Sequence, residues 1–99
     1  MIKHVVAFGL NEAGQQNLAE MKSRLEGLLD LVPHVTSLAF GSDLGVVAGH
    51  WDAALVSEHA DSFELESYQR HPAHVEVLGW LADKVTDRAV VDFMFESTT

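Results

Sequence analysis

The sequence has no cysteine, and its 99 residues carry six lysines and arginines against fifteen aspartates and glutamates. Without cysteine there is no disulfide, no thiolate nucleophile and no Cys-ligated metal. A formal charge of −9 excludes the basic surface that nucleic-acid phosphates require, and it disfavours an anionic membrane surface. No run approaches the ~20 apolar residues of a membrane span. The apolar stretch of Met1 to Phe8 is short and no small-residue cleavage site follows it, so it reads as a buried strand and the protein is placed in the cytoplasm. Proline occurs twice, at Pro33 and Pro72, and each marks a break. There is no internal repeat, low-complexity tract or linker.

What remains has the balance of a globular chain. At 47% hydrophobic and 21% charged residues, disorder is excluded. Ninety-nine residues make one domain over 1–99, because two would each be too small to hold a core. Ile2, His4, Val6, Phe8 and Leu10 alternate with Lys3, Val5, Ala7 and Gly9, the period of a strand. Asn11 offers a helix start. Leu18, Met21, Leu25, Leu28 and Leu29 then recur at spacings of three and four, with Glu20, Lys22, Arg24 and Glu26 toward water. Pro33 ends that pattern.

Val35 to Phe40 reads as a second strand, Gly41-Ser42-Asp43 as a turn, the stretch to Gly49 as a loop, and Trp51 to Glu58 as a third strand. Asp61 followed by Glu64 fits a capping box. The helix it opens runs to about Arg70, breaks at His71-Pro72, and resumes through Leu78, Leu81, Ala82 and Val85. Arg88 to Glu96 is the last strand. The order strand, helix, strand, strand, helix, strand predicts an α+β, ferredoxin-like, four-stranded antiparallel sheet with helices on one face. Ala89, Val91, Phe93 and Phe95 form an apolar row on the last strand, with Val90 and Met94 opposite, and the first strand is also apolar on both sides. Helices bury one face only. At ~25 cal/mol per Å² the second face is too costly to leave wet, so a symmetric homodimer through the sheet is expected.

Of the six histidines, His34 and His50 read as solvated loop residues, and His59 as a surface or packing residue. His4, Tyr68, His71 and His74 stand apart. His4 shares the helix-facing side with Val6 and Phe8, and an unsatisfied polar group there costs ~1–3 kcal/mol. The proline-broken run Tyr68-Gln69-Arg70-His71-Pro72-Ala73-His74 bends the chain. The bend either aims Tyr68 and His74 into a space between helix and sheet or is a kink with capping histidines. Ala54 and Ala73 are small positions that leave room for such a space.

The opening Ile2-Lys3-His4-Val5-Val6, the Asp52-to-Glu58 strand, Tyr68 through Val75 and the closing Val91-Asp92-Phe93 together resemble the stress-responsive dimeric α/β-barrel domain, over nearly the whole chain. The Tyr-x-x-His-Pro-x-His run joined to a first-strand Lys-His is a fairly specific combination. The resemblance implies a ferredoxin-like fold whose copies pair through their sheets into a barrel. Many members of that family have no established activity. One plant branch, similar to olivetolic acid cyclase, closes linear polyketides by intramolecular aldol condensation without a cofactor. On that resemblance His74 is the catalytic histidine, Tyr68 its helper and His4 the first-strand histidine, while His71 shapes the turn. His71, Val6 and Phe8 are taken as the ligand-binding positions. His59 departs from the aromatic expected at the end of the third strand, which puts the pocket's shape in doubt.

The chemistry suits these groups. A neutral histidine with a reference pKa near ~6.5 can remove an acidic C–H proton, and a tyrosine hydroxyl can donate to an oxyanion. Three other readings stay open. A non-enzymatic stress or assembly dimer would use the histidines to tie helix to strand. A metal site would use His71 and His74, three apart, with His4, but the proline spoils the helical geometry and no carboxylate is placed among them. An oxygen-dependent monooxygenase rests on fold analogy alone.

Overall fold

Alternation along the first strand organises the whole molecule. In the computed structural model, which describes residues 1–97, β1 (Ile2–Leu10) is central in a four-stranded antiparallel sheet ordered β2-β3-β1-β4. Its partners are β2 (Ser37–Ser42), reached through β3 (Ala53–His59), and β4 (Val85–Met94). Five helices connect them: α1 (Glu12–Gln16), α2 (Leu18–Glu26), α3 (Leu28–Leu31), α4 (Ser62–Arg70) and α5 (Pro72–Leu81). This is the expected ferredoxin-like arrangement.

Residues directly opposite in an antiparallel ladder share a face, so the register assigns each side. His4 lies between Ser57 and Asp92, Val6 between Leu55 and Val90, and Phe8 between Ala53 and Arg88. Met21, Leu25 and Leu28 from the first helical layer, Leu65 and Tyr68 from α4, and Val77 and Leu81 from α5 cover this side and form the core with Val6, Phe8, Phe40 and Leu55. Each such side chain stabilises the fold by ~1.5–3 kcal/mol when fully buried. The opposite side carries Val5, Ala7, Ala39, Ala54, Val56, Ala89, Val91 and Phe93. There Val91 is 60% and Phe93 45% exposed.

Local chemistry sets the element ends. Asn11 accepts from the Gly14 N–H at 3.0 Å and opens α1, and Asp61 accepts from the Glu64 N–H at 2.8 Å and opens α4. The first helical pattern is divided at Asn17 and Gly27 into three pieces, which leaves Leu29 41% exposed rather than in the core. Two of the boundaries that differ from the sequence reading belong to β2 and β4. Gly41 and Ser42 continue β2 instead of turning, because each pairs with β3. Val85 begins β4 instead of ending the helix, since it pairs across a register shift with Leu10. The β2–β3 loop is tightened by Gly45 and Gly49, whose φ of +77° and +87° favour glycine.

Candidate functional site

The sheet and the α4–α5 break bring two histidines to one cavity. His71 is the pivot. Pro72 at the first position of α5 needs no amide partner, and His71, in extended conformation, caps the helix by accepting from the Ala73 N–H through Nδ1 at 3.1 Å. His74, in the first turn of α5, is buried, and its Nδ1–H donates to the carbonyl of Gln69 at 3.0 Å. A carbonyl only accepts, so the proton sits on Nδ1 and the lone pair on Nε2. Burial holds the His74 pKa below its ordinary value; the bond to Gln69 opposes this, while the charges of His4 and Arg88 add to the lowering. His74 is therefore a neutral base at neutral pH.

His4 is buried on β1, and its Nδ1 is paired with a carboxylate oxygen of Asp92 on β4. The sequence reading placed no carboxylate among the histidines. The β1–β4 register supplies one by setting Asp92 directly beside His4. The pairing orients the ring and leaves Nε2 as the nitrogen that can exchange a proton.

Between these rings lies a cavity of about 170 Å³. Its polar lining is His4, Gln69, His74 and Arg88, and its apolar wall is Val6, Phe8, Val90 and leucines of α2, β3 and α5. A second hollow of about 290 Å³ between α5 and β4 shares Phe8, Leu78, Leu81 and Arg88 with it, so the inner cavity adjoins an outer apolar groove.

The other expected site residues fall differently. Val6 and Phe8 line the cavity as anticipated, but His71 does not; its ring nitrogen is committed to the cap. Tyr68 is fully buried and packs its ring 4.6 Å from His74 and 4.8 Å from His59. Tyr68 is not part of the cavity lining, and its hydroxyl has no hydrogen-bond partner among the described residues. Desolvation pushes its pKa up to about 12, so it stays a neutral O–H. Ala54 lies on the open sheet face beside Ala7, and Ala73 lines a hollow between α2 and α5, so neither makes room here. No residue of the β2–β3 loop lines the cavity. Among the described residues no three His, Cys, Asp or Glu side chains are grouped to hold a metal ion.

His59, read from sequence as a surface or packing residue, is fully buried. Its Nδ1–H donates to the His34 carbonyl at 2.8 Å, and its Nε2 accepts from the Ser57 hydroxyl at 2.8 Å. Desolvation holds it below the ordinary histidine pKa, against the bond to His34. The signal was present in the parity of β3, where His59 follows Leu55 and Ser57 on the covered face. His34 and His50 also have partners: His34 pairs with Glu64 at 2.8 Å and His50 with Asp43 at 3.0 Å. Glu64 thus holds His34.

The fold has close relatives of known structure. A dimeric ferredoxin-like protein of unknown function from Thermobifida fusca is similar, with 30% identity and a TM-score of 0.85 over 95% of this chain and 90% of that one. A dimeric protein of unknown function and ferredoxin-like fold from Bacteroides fragilis is similar at 26% identity and a TM-score of 0.86, over 95% of each chain. A hydroxynitrile lyase from Passiflora edulis shares the fold at 16% identity and a TM-score of 0.82, over 99% of this chain and 90% of that one. Among curated proteins there is no significant match. The model of the stress responsive A/B barrel domain (Dabb) matches residues 2–95, a span that contains every strand, every helix and the whole cavity lining, and the chain belongs to that family.

Proposed function

We propose that this protein is a homodimer that binds a small molecule between its helices and sheet and carries out cofactor-independent acid–base chemistry on it, of the cyclase type. The observation that carries this reading is the pair of buried imidazoles on one cavity, each with Nδ1 held by an acceptor and Nε2 left uncommitted. In an aldol closure, His74 Nε2 takes a proton from a carbon between two carbonyls. The resulting enolate carbon attacks a second carbonyl of the same chain. A carbon–carbon bond forms, and the attacked oxygen becomes an alkoxide that takes up the proton now on His74 Nε2, with His4 beside it on the cavity wall. Tyr68 packs its ring against His74 from outside the cavity lining and backs that base.

The second copy is inferred from the open sheet face. Val5, Ala7, Val56, Val91 and Phe93 share that face, and covering it with the same face of another copy removes apolar area at ~25 cal/mol per Å². The similar proteins from T. fusca and B. fragilis are dimers, which supports the same assembly here.

The test is proton–deuterium exchange at the central carbon of 2,4-pentanedione, a probe small enough for the inner cavity, followed by NMR in D₂O. The wild type is expected to accelerate exchange, and His74→Ala to lose ~10²–10⁴-fold of that acceleration. Equal exchange by the two proteins removes His74 as the base. One observation favours a non-catalytic dimer instead: Tyr68 packs between His59 and His74 and does not line the cavity. On that reading His74→Ala costs ~1–3 kcal/mol of stability and no probe raises the melting temperature.

A further inference from the structure

Among the described residues Arg88 is the one cationic side chain without a carboxylate partner. The other five lysines and arginines each meet a carboxylate: Lys3 with Glu58, Lys22 with Glu26, Arg24 with Glu20, Arg70 with Glu66 and Lys84 with Asp83. Among the described residues Arg88 meets none, in a chain with fifteen acidic side chains. It is not directed at random solvent. The register sets it beside Phe8, on the face that carries His4, and it lines both the inner cavity and the outer groove. Asp92, the carboxylate on that same face of β4, is already held by His4. Asp87, the neighbouring carboxylate, has the opposite parity on β4, lines the outer groove but not the inner cavity, and accepts from the Thr86 hydroxyl at 3.0 Å.

We infer that the site selects small monoanionic acids: a carboxylate seats on the Arg88 guanidinium at the boundary of the two hollows, and the apolar chain lies against Leu78, Leu81 and Phe8. This deepens the ligand-binding reading above and rests on it. The physical reasons are three. A guanidinium presents a planar fork that matches a carboxylate bidentately. A net charge of −9 repels anions at the rest of the surface, so an anion that binds does so through a local cation. Asp87 on the outer groove disfavours a second negative charge on the ligand.

The test compares pentanoate with its neutral isostere pentanamide, by calorimetry and by the NMR shifts of the His4 and His74 rings, on wild type, Arg88→Gln and Arg88→Lys. Arg88 is exposed, so neither variant removes core packing. The expected result is that both probes shift the two ring signals and that wild type binds pentanoate roughly tenfold or more tighter than pentanamide. Arg88→Gln should erase that preference, bringing the two probes to within about threefold of each other, and Arg88→Lys should keep part of it. If pentanamide binds as well as pentanoate, or the preference survives Arg88→Gln, the selection of anions is overturned while the ligand site stands. If neither probe moves the ring signals, the ligand-site reading falls and this inference falls with it.

Discussion

The two faces of one sheet are built from the same strands and do opposite things. The covered face places two imidazoles, one of them held by a carboxylate, and a guanidinium without a carboxylate partner among the described residues around about 170 Å³ of space. The open face, one residue out of phase, is chiefly alanine, valine and phenylalanine, with the Lys3–Glu58 ion pair at one end. On β1 the step from His4 to Val5 crosses from one to the other. The difference shows how a short chain keeps chemistry and assembly apart: period-two alternation gives each role its own side chains, so one can change without the other.

The comparison can be broken on either side. The largest effect is expected on the covered face. Leu25 is 2% exposed and forms part of the cavity wall, so Leu25→Ala should cost ~2–5 kcal/mol and enlarge the cavity, read as a lower urea midpoint. On the open face, Val91→Asp should weaken the proposed dimer by ~2 kcal/mol or more and yield monomer in light scattering. Because Val91 is 60% exposed in the single chain, the fold of the monomer should survive. A dimer unchanged by Val91→Asp places the interface elsewhere.

Acid tests the covered face alone. His59 and His74 are both held below the ordinary value of 6.5, chiefly by burial. As pH falls through the unfolded value of about 6.5, the unfolded chain takes up protons that the folded chain refuses. Stability is thus fully present above that pH and declines below it, until the folded rings also protonate. Urea midpoints should drop between about pH 7.5 and about pH 5.5, with a shallower drop for His59→Phe. At neutral pH His59→Phe should itself cost ~1–3 kcal/mol by orphaning the buried Ser57 hydroxyl, and His59→Phe with Ser57→Val should recover most of it.

The smallest effect is the most diagnostic. Tyr68 hides a hydroxyl with no hydrogen-bond partner among the described residues, so Tyr68→Phe should stabilise the protein by about 1 kcal/mol. A gain in stability together with a loss of exchange activity would mark the hydroxyl as kept for substrate. A gain with unchanged activity would assign Tyr68 to packing alone.

Much of this was legible in the sequence, for a physical reason. Alternation in β1, the Asn11 and Asp61 caps and the proline at the head of α5 act over a few residues, so the element order, the face of His4 and the bend before His74 follow from neighbours in the chain. The apolar residues on both sides of the first and last strands told that one face needs a cover. The residue pattern already set His4 and His74 apart, the resemblance added their roles, and both line the cavity.

The tertiary structure decided what depends on distant pairs. Asp92 is 88 residues from His4, and parity says only which face it takes, not which rung; the β1–β4 register alone sets it against that ring. The same register carries Arg88 to the cavity, and the pairing of β3 with β1 buries His59 against Tyr68. Local sequence chooses the side of a sheet by steric alternation, whereas the partner across the ladder is chosen by the long-range fit of whole strands.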